Sequence, residues 1–228
     1  MRRAALAFAC TLVFSAPAWA QATGPQGSGF YVAGKGGPTF AFATDLSGSG
    51  GAGVDDDSAM NLIGAFGLAG GYAWVKQGLP LRTELELMNR TEVSYNASPV
   101  YAGGGAADAI GSDIQNVTLM AKAFWHFDAG SPMWSPFVSA GLGVSRNAVT
   151  GRFTPAGGAP SDVDETHYDV AWSVGTGASF YLGNRVVNDV ELRYVNLGAS
   201  DWSLPAPFTL ASDDLHAVEL SFAIRINF

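Results

Sequence analysis

Apolar and polar side chains alternate with a period of two along residues 215–228. One face of this segment is apolar: Val218, Leu220, Phe222, Ile224, Ile226 and Phe228. The other face is small or polar: Ala217, Glu219, Ser221, Ala223, Arg225 and Asn227. Successive side chains of a β-strand point to opposite faces, so the pattern predicts a strand with one apolar and one polar face. Residues 81–90 and 170–182 repeat it.

Eight segments of this kind follow one another, and each is long enough for the roughly 9–11 residues with which a tilted strand crosses a bilayer. They are residues 29–40, 61–74, 80–95, 114–127, 136–149, 166–182, 186–198 and 215–228. The connections between them alternate in length. Four are long and polar (41–60, 96–113, 150–165 and 199–214), and three are short (75–79, 128–135 and 183–185). Outer-membrane barrels have this asymmetry, with short periplasmic turns and long outer loops.

Alternation alone does not separate a membrane barrel from a soluble β-sandwich, because the strands of both have one apolar and one polar face. The distinction comes from the mid-strand charges, which lie on the face opposite the large apolar side chains. A soluble protein would expose those charges, whereas a barrel turns the apolar face to lipid and pairs the charges inside. We therefore predict an all-β protein, an eight-stranded antiparallel transmembrane β-barrel over residues 29–228, preceded by a short N-terminal segment at 21–28.

The first twenty residues have a different composition, typical of a cleavable signal peptide. Arg2 and Arg3 precede an apolar run over residues 4–14, and Ala18 and Ala20 form the small-x-small site of signal peptidase. A membrane anchor is the alternative, but the apolar run is too short to span a bilayer. The one cysteine of the chain, Cys10, lies in this segment, so the mature chain is not expected to contain a disulfide.

The charge of the chain is concentrated in the predicted outer loops. After removal of residues 1–20, 10 basic and 20 acidic residues remain, a formal charge of −10 that argues against nucleic-acid binding. The four long loops contain twelve of the acids and one base, Arg152. The acids are Asp45, Asp55, Asp56, Asp57, Asp108, Asp113, Asp162, Asp164, Glu165, Asp201, Asp213 and Asp214.

Aromatic residues mark the ends of the segments that adjoin the short turns. Amphipathic rings favour the boundary between lipid and water, so we interpret these residues as a girdle at the periplasmic side. Scattered core aromatics are the alternative. The residues are Phe30, Tyr72, Trp74, Trp125, Phe127, Phe180 and Phe228.

Nine charged residues on the polar strand faces are expected to point into the lumen: Lys35, Arg82, Glu84, Glu86, Lys122, Glu191, Arg193, Glu219 and Arg225. An eight-stranded barrel is just wide enough for side chains to fill it, so we expect opposed charges that neutralise one another. We further hypothesise that four of them, Lys35, Glu191, Arg193 and Glu219, pair near the seam between the first and last strands. A proton or ion path along inward-facing glycines and serines is the alternative.

Catalytic, cofactor and metal sites are not indicated by the sequence. The three histidines, His126, His167 and His216, have no metal-ligand spacing, and no local motif joins a serine, a histidine and an acid. The acidic loop clusters at 55–57, 162–165 and 213–214 could bind a hard cation, or bridge through divalent ions to lipopolysaccharide phosphates. Solvated surface charge is the simpler interpretation.

Several strand sequences resemble the opacity/surface-antigen family of small outer-membrane β-barrel proteins. They read GFYVAGKGGPTF, RTELELMNR, NVTLMAKAFWHF, SPFVSAGLGVS, DVELRYVNLG and VELSFAIRINF. The resemblance covers most of the strands and none of the long loops. It implies variable surface loops and roles as surface antigens, adhesins or narrow pores. The terminal Phe228 is similar to the signal that the barrel-assembly machinery reads.

The function expected on these grounds is that of a structural, surface-exposed interaction protein, antigen- or adhesin-like, acting through its long acidic loops. Its expected partners are outer-membrane lipid and lipopolysaccharide, the barrel-assembly machinery and a host or surface ligand. A narrow small-solute or ion channel is the main alternative. A lipid A-modifying enzyme is the less favoured one.

Overall fold

A computed structural model describes residues 29–49, 52–53, 61–97, 100–101, 109–154, 161–183, 185–198, 200–203 and 209–228. Nearly all of them are in β-strands, numbered here in chain order. The strands are β1 (Gly29–Ser49), β2 (Ala52–Gly53), β3 (Asn61–Ala73), β4 (Leu81–Ala97), β5 (Val100–Tyr101), β6 (Ala109–His126), β7 (Trp134–Thr154), β8 (Ser161–Tyr181), β9 (Val186–Asn196), β10 (Ser200–Ser203) and β11 (Thr209–Asn227). The predicted signal peptide lies outside the described residues.

Eight of these strands close into an antiparallel barrel. Each pairs with its neighbours in the order β1, β3, β4, β6, β7, β8, β9, β11, and β11 pairs back with β1. The closing seam extends from Tyr31 opposite Asn227 to Ser49 opposite Thr209. β10 pairs with β11 beyond the end of β9 and so continues the position of β9 in the wall. The predicted eight-stranded antiparallel barrel is confirmed.

The wall has the two faces that the alternation predicted. Along β9, for example, Val187, Asp189, Glu191 and Arg193 are buried, while Leu192 between the last two is exposed. Large apolar side chains cover the outside, among them Leu68 at 70% and Ile224 at 62% exposure. Apolar residues exposed in this way all around a closed sheet are suited to lipid, since the exposure of so large an apolar surface to water would be unfavourable.

The two ends of the barrel differ in the length of their connections. At one end the strands are joined by tight turns. A single 3-10 turn at Trp74–Gln77 ends at Gly78, whose φ of 76° is in the left-handed region that glycine adopts without strain. In the next turn Asp128 accepts a hydrogen bond from the backbone N–H of Gly130. In an outer-membrane barrel this is the periplasmic end.

At the opposite end the strands continue well beyond the predicted starts of the loops. β1 extends to Ser49, and β7 and β8 remain paired as far as Phe153 opposite Ser161. The described strands therefore overlap the predicted outer loops 41–60, 96–113, 150–165 and 199–214. Outside the bilayer a strand no longer needs an apolar face, yet its backbone groups still gain by pairing. The alternation of apolar and polar residues stops there, but the hydrogen-bonded pairing of the strands continues.

Among the described residues, no helix is long and apolar enough to cross a membrane.

Candidate functional site: the charged lumen

The structure places all nine of the charged residues assigned to the lumen inside the barrel, each at most 8% exposed. They belong to a connected set of ion pairs, which we call the lumen network. Among the described side chains this network joins six cations and five anions. Its members are Lys35, Arg82, Arg90, Lys122, Arg193, Arg225, Glu84, Glu86, Asp189, Glu191 and Glu219.

Glu86 on β4 is the centre of the network. Its carboxylate accepts a hydrogen bond from Lys35 at 2.6 Å and one from Arg193 at 2.5 Å. Lys122 approaches the same carboxylate at 3.5 Å. These cations come from β1, β9 and β6, so a single side chain links four of the eight strands across the lumen.

Glu84 lies two residues before Glu86 on the same inward face. It pairs with Lys35, accepts a hydrogen bond from the hydroxyl of Tyr31 at 2.9 Å, and lies 3.1 Å from Arg82. Lys35 and Tyr31 reach it over the intervening strand β3, because β3 has a glycine, Gly71, beneath the tyrosine. A Cβ at Gly71 would lie 2.3 Å from the Tyr31 hydroxyl oxygen, so no larger residue fits at this crossing.

Towards the outer end, the network continues through Glu219 on β11. Arg193 and Arg90 each donate from Nε to one of its oxygens, both at 2.6 Å. Arg90 then donates to the side-chain oxygen of Asn116 at 2.6 Å, and the Asn116 amide donates to Asn147. The ionic network thus passes into a layer of neutral amides.

Towards the periplasmic end, Asp189 on β9 lies between two arginines. Arg82 and Arg225 each approach one of its oxygens at 3.3 Å, and Ser179 donates to the other at 2.6 Å. A side branch on β6 and β9 pairs Lys122 with Glu191 at 2.9 Å, and Ser139 donates to the same carboxylate.

A buried aromatic ring supports three of the cations. The ring of Phe124 lies 3.7 Å from the Arg82 guanidinium carbon, 5.0 Å from the Lys122 ammonium and 5.5 Å from that of Lys35. A ring face attracts cations, and it does so more strongly where water is excluded. Phe124 therefore supplements the carboxylates where neighbouring cations crowd together.

Sequence reasoning missed two members of the network, Arg90 and Asp189. Both were detectable, because the period of two that places Glu86 and Glu191 inside also places the next inward positions along the same strands. Arg90 follows Glu86 by four residues, and Asp189 precedes Glu191 by two. Asn89 and Asn188, the residues immediately before Arg90 and Asp189, lie on the outer face.

The pairing near the seam was wrong in one respect. Lys35 does belong to the network, but it bonds to Glu84 and Glu86 on β4 rather than to Glu219. Across the seam Lys35 lies opposite Ala223, and the residue opposite Glu219 is Thr39, which donates a weak hydrogen bond of 3.3 Å. The long lysine side chain spans β3 and reaches acids two strands away.

An apolar layer accompanies the charges in the outer half of the lumen. Met120, Ala171, Val195 and Leu197 pack together, with Leu215 against them. Leu197 directly follows the last residue of β9 and is 1% exposed, which continues the inward positions of Arg193 and Val195. Together with the charges, this layer occupies the lumen with side chains, as expected for a barrel of eight strands.

The histidines occupy separate places. His126 is buried near the periplasmic end, in contact with the ring of Phe137. His216 forms a 2.6 Å hydrogen bond through Nδ1 with the Tyr194 hydroxyl on the outer face. His167 lies on β8 in the outer half. Within the described ranges no three His, Cys, Asp or Glu residues form a group that could hold a metal ion. The side chains of the acidic loop clusters lie outside the described residues.

The aromatic residues at the periplasmic end form a chain of contacts on the outer face. The rings of Phe30, Tyr72 and Trp74 meet edge to face, with centroids 5.0 Å apart in each pair. Trp74 also donates from its indole nitrogen to Thr83. Phe180 is exposed at the same end. Rings placed in this way anchor a barrel at the lipid–water boundary.

A closed antiparallel wall, apolar outside and charged inside, defines a small transmembrane β-barrel of the bacterial outer membrane. The chain belongs to the family described as outer membrane protein beta-barrel domain, whose model matches residues 6–228. This confirms the small outer-membrane barrel family that the strand sequences resembled, and with it the location of the protein in the bacterial outer membrane.

Known proteins similar to the chain agree with this assignment. Outer membrane protein PagN of Salmonella typhimurium is 25% identical over 203 residues, 84% of this chain and 83% of PagN. Neisserial surface protein A is similar in fold with a TM-score of 0.56 and 20% identity, covering 88% of this chain and 98% of that one. OprG of Pseudomonas aeruginosa has a TM-score of 0.50 and 13% identity, covering 88% and 97%.

Proposed function

We propose that this protein is a non-enzymatic barrel that presents its acidic outer loops as a surface-exposed interaction site, antigen- or adhesin-like. The observation that carries the proposal is the filled lumen. Eleven charged side chains and an apolar layer occupy the space that a channel would leave open. A barrel with an occupied interior serves as a rigid scaffold, and its specificity then resides in the segments that it displays.

The strands that extend beyond the bilayer at the outer end support the same proposal. β7 and β8 have 21 residues each, about twice the roughly 9–11 that a bilayer requires. The excess lies at the end opposite the short turns, where it raises the β7–β8 hairpin above the lipid. The loops at this end carry most of the acid of the mature chain, so they suit a cationic ligand or a surface reached through divalent ions.

The experiment compares the binding of intact cells that display charge variants of the chain. Asp162, Asp164 and Glu165 are replaced together by Asn and Gln, and the control is Asp128→Asn in a periplasmic turn. Binding to host cells and to extracellular-matrix components is measured at equal surface expression. We expect the outer variant to bind several-fold less than wild type and the control to bind normally. Equal binding by all three would contradict the proposal.

A narrow channel is the second candidate, and one observation favours it. Several buried polar atoms of the described lumen side chains have no hydrogen-bond partner, including atoms of Arg82, Arg193 and Ser173. Ordered water usually satisfies such groups. A chain of water molecules could conduct protons even where ions cannot pass. Planar-bilayer recording separates the two functions, because only a channel gives a steady current.

Lipid A modification is the enzymatic candidate. It predicts altered lipid A masses in cells that express the protein. Our proposal predicts masses identical to those of cells without it. We also propose that the wall contacts outer-membrane lipid and lipopolysaccharide. The barrel-assembly machinery is the partner that we propose for the C-terminal residue Phe228.

A further inference from the structure

Towards its outer end the barrel wall divides into two separate sheets. β4, β6, β7 and β8 continue as one paired sheet, and β1, β11 and β10 continue as the other. On one side of the barrel, β2 and β5, which follow β1 and β4, pair across the space between the two sheets. On the other side β8 lies beside β10, and no pairing joins these two among the strands that the structure describes.

The outer half of β8 therefore forms the edge of a sheet. β8 pairs with β7 from Ser161 to Phe180, but it pairs with β9 only from Trp172 to Tyr181. The stretch that pairs with β9 already has the roughly 9–11 residues that cross a bilayer, so the residues before Trp172 lie outside the lipid. We call the side of residues 161–171 that is turned away from β7 the β8 edge.

The backbone of alternate residues points towards the β8 edge. Val170 donates its N–H to the Asp169 carboxylate at 2.6 Å, and Trp172, the next residue of the same register, pairs with Asn196 of β9. Because hydrogen-bonded and non-hydrogen-bonded pairs alternate along an antiparallel ladder, the backbone N–H and C=O groups of Thr166 and Tyr168 point to the same side. The side chains of these two residues are exposed, that of Tyr168 at 73%.

The end of the β8–β9 pairing is built into the fold by a glycine and an aspartate. Just after β9 the chain turns at Gly198, whose φ is 81°. A Cβ at Gly198 would lie 2.5 Å from Cβ and Cγ of Asp169, so the aspartate packs directly against the glycine backbone. Asp169 thus occupies the place where the next rung of the ladder would form. The gap between β8 and β10 begins at this contact.

We propose that the β8 edge binds an extended basic peptide segment of a partner protein, which adds to the sheet as a further strand. This inference rests on the proposed surface-interaction function and names the chemistry of its partner. A strand edge presents donors and acceptors at the spacing of another strand, and an extended polypeptide repeats that spacing. Closed barrels have no such edge within the wall, so its presence beyond the lipid provides a place for strand addition.

The charge of the segment favours a basic peptide over a second copy of this chain. Residues 161–171 read SDVDETHYDVA, with four acids and no lysine or arginine, and β10 contributes Asp201. If the β8 edges of two copies paired, acids would lie opposite acids, and like charges in cross-strand positions are destabilising. Lysine or arginine side chains on an added strand would instead compensate these acids.

Peptide binding to the full chain in lipid nanodiscs, which leave both ends of the barrel open to solvent, tests the proposal. The probe is a fluorescent octapeptide of alternating lysine and threonine. One control peptide has its four central backbone nitrogens methylated, which keeps the charge but removes donors from both edges of the strand. The other control has glutamate in place of lysine. Fluorescence anisotropy should show binding of the probe and at least about tenfold weaker binding of each control, since several hydrogen bonds or the charge match are lost. Equal binding of the probe and the methylated peptide, or no binding of the probe, would overturn the proposal.

The protein variant that tests the same contact is Thr166→Pro. Proline removes the N–H that points to the β8 edge and leaves the pairing with β7 intact, and proline is tolerated at such edge positions. Thr166→Ala, which keeps the N–H, is the matched control. Heat-modifiable gel mobility shows that both variants are folded. Thr166→Pro should bind the probe about tenfold more weakly, while Thr166→Ala should bind it like wild type. Undiminished binding by folded Thr166→Pro would overturn the proposal.

Intact cells distinguish a failure of this inference from a failure of the proposed function. Cells that display Thr166→Pro should bind host cells several-fold less than cells that display Thr166→Ala. If Thr166→Pro binds normally while the charge variant at residues 162, 164 and 165 does not, the acidic loops act without strand addition. That outcome would overturn the peptide site and leave the proposed surface interaction in place. Normal binding by both variants would contradict both proposals.

Discussion

At the scale of single residues, the stability of the barrel depends on how the lumen charges are shared. Four of the five carboxylates of the network, Glu84, Glu86, Asp189 and Glu219, each contact at least two cations. Removing one partner of a buried pair leaves the other charge desolvated and uncompensated, which costs about 3–5 kcal/mol. Removing both partners can cost less. The network is therefore sensitive to single changes and more tolerant of matched ones.

The first prediction concerns Glu219 and Arg90, which lie 2.6 Å apart. Glu219→Gln and Arg90→Met should each destabilise the barrel. The double variant should be more stable than the sum of the two effects predicts, by about 1–3 kcal/mol, because the residues share a buried contact. Urea unfolding in lipid vesicles measures this coupling energy.

Lys35 supplies the control for this cycle. It is bonded to Glu84 and Glu86 and not to Glu219. Lys35→Met combined with Glu219→Gln should therefore be closer to additive than the Arg90 pair. A stronger coupling of Glu219 to Lys35 than to Arg90 would contradict the arrangement of the network.

At the scale of strands, the sequence predicts the paired segments where lipid requires an apolar outer face, and it does not show how far those segments continue beyond the lipid. Within the wall, lipid on one side and a filled lumen on the other enforce the period of two, so the eight strands could be located. Beyond the lipid, as at 41–49 of β1, pairing depends on the backbone alone and leaves little trace in the sequence. The partners of Lys35 could not be predicted from the sequence either, because the lysine side chain reaches them by extending over the glycine-bearing strand β3.

The second prediction tests the two faces of the wall and their depth. Leu192 on β9 faces lipid between the inward Glu191 and Arg193 and is 52% exposed. Leu192→Arg should destabilise the barrel by about 2–4 kcal/mol if it lies near the midplane. Leu182→Arg, at the periplasmic end, should cost only about 0–1 kcal/mol, because the cost of a charge falls towards the interface. Unfolding from vesicles compares them, and similar costs at both positions would refute the assigned depth.

At the scale of the whole molecule, the barrel is a closed wall whose ends face different compartments. Tight turns mark the periplasmic end, and paired ribbons such as β7–β8 extend from the other. The interior is crossed by ion pairs that join strands far apart in sequence, as Glu86 does with Arg193. The lumen network therefore links strands that are not neighbours in the wall, such as β4 and β9.

The third prediction concerns orientation. Cysteines are placed one at a time in a Cys10→Ser background, at Ser49 where β1 ends and at Gly130 in a short turn. An impermeant maleimide applied to whole cells should label Ser49→Cys, whereas Gly130→Cys should react only after lysis. The short-turn end faces the periplasm in outer-membrane barrels. Labelling of Gly130→Cys on intact cells would reverse the orientation.

Planar-bilayer recording of the purified protein shows directly whether the barrel's own side chains close its lumen. Wild type should insert without a steady ionic current, because the lumen network and the Met120–Leu197 layer occupy the lumen. Arg193→Ala combined with Glu86→Ala removes a central pair and should introduce measurable current in a folded barrel. A steady, ion-selective current through wild type would show that the lumen is open and would contradict a closed barrel.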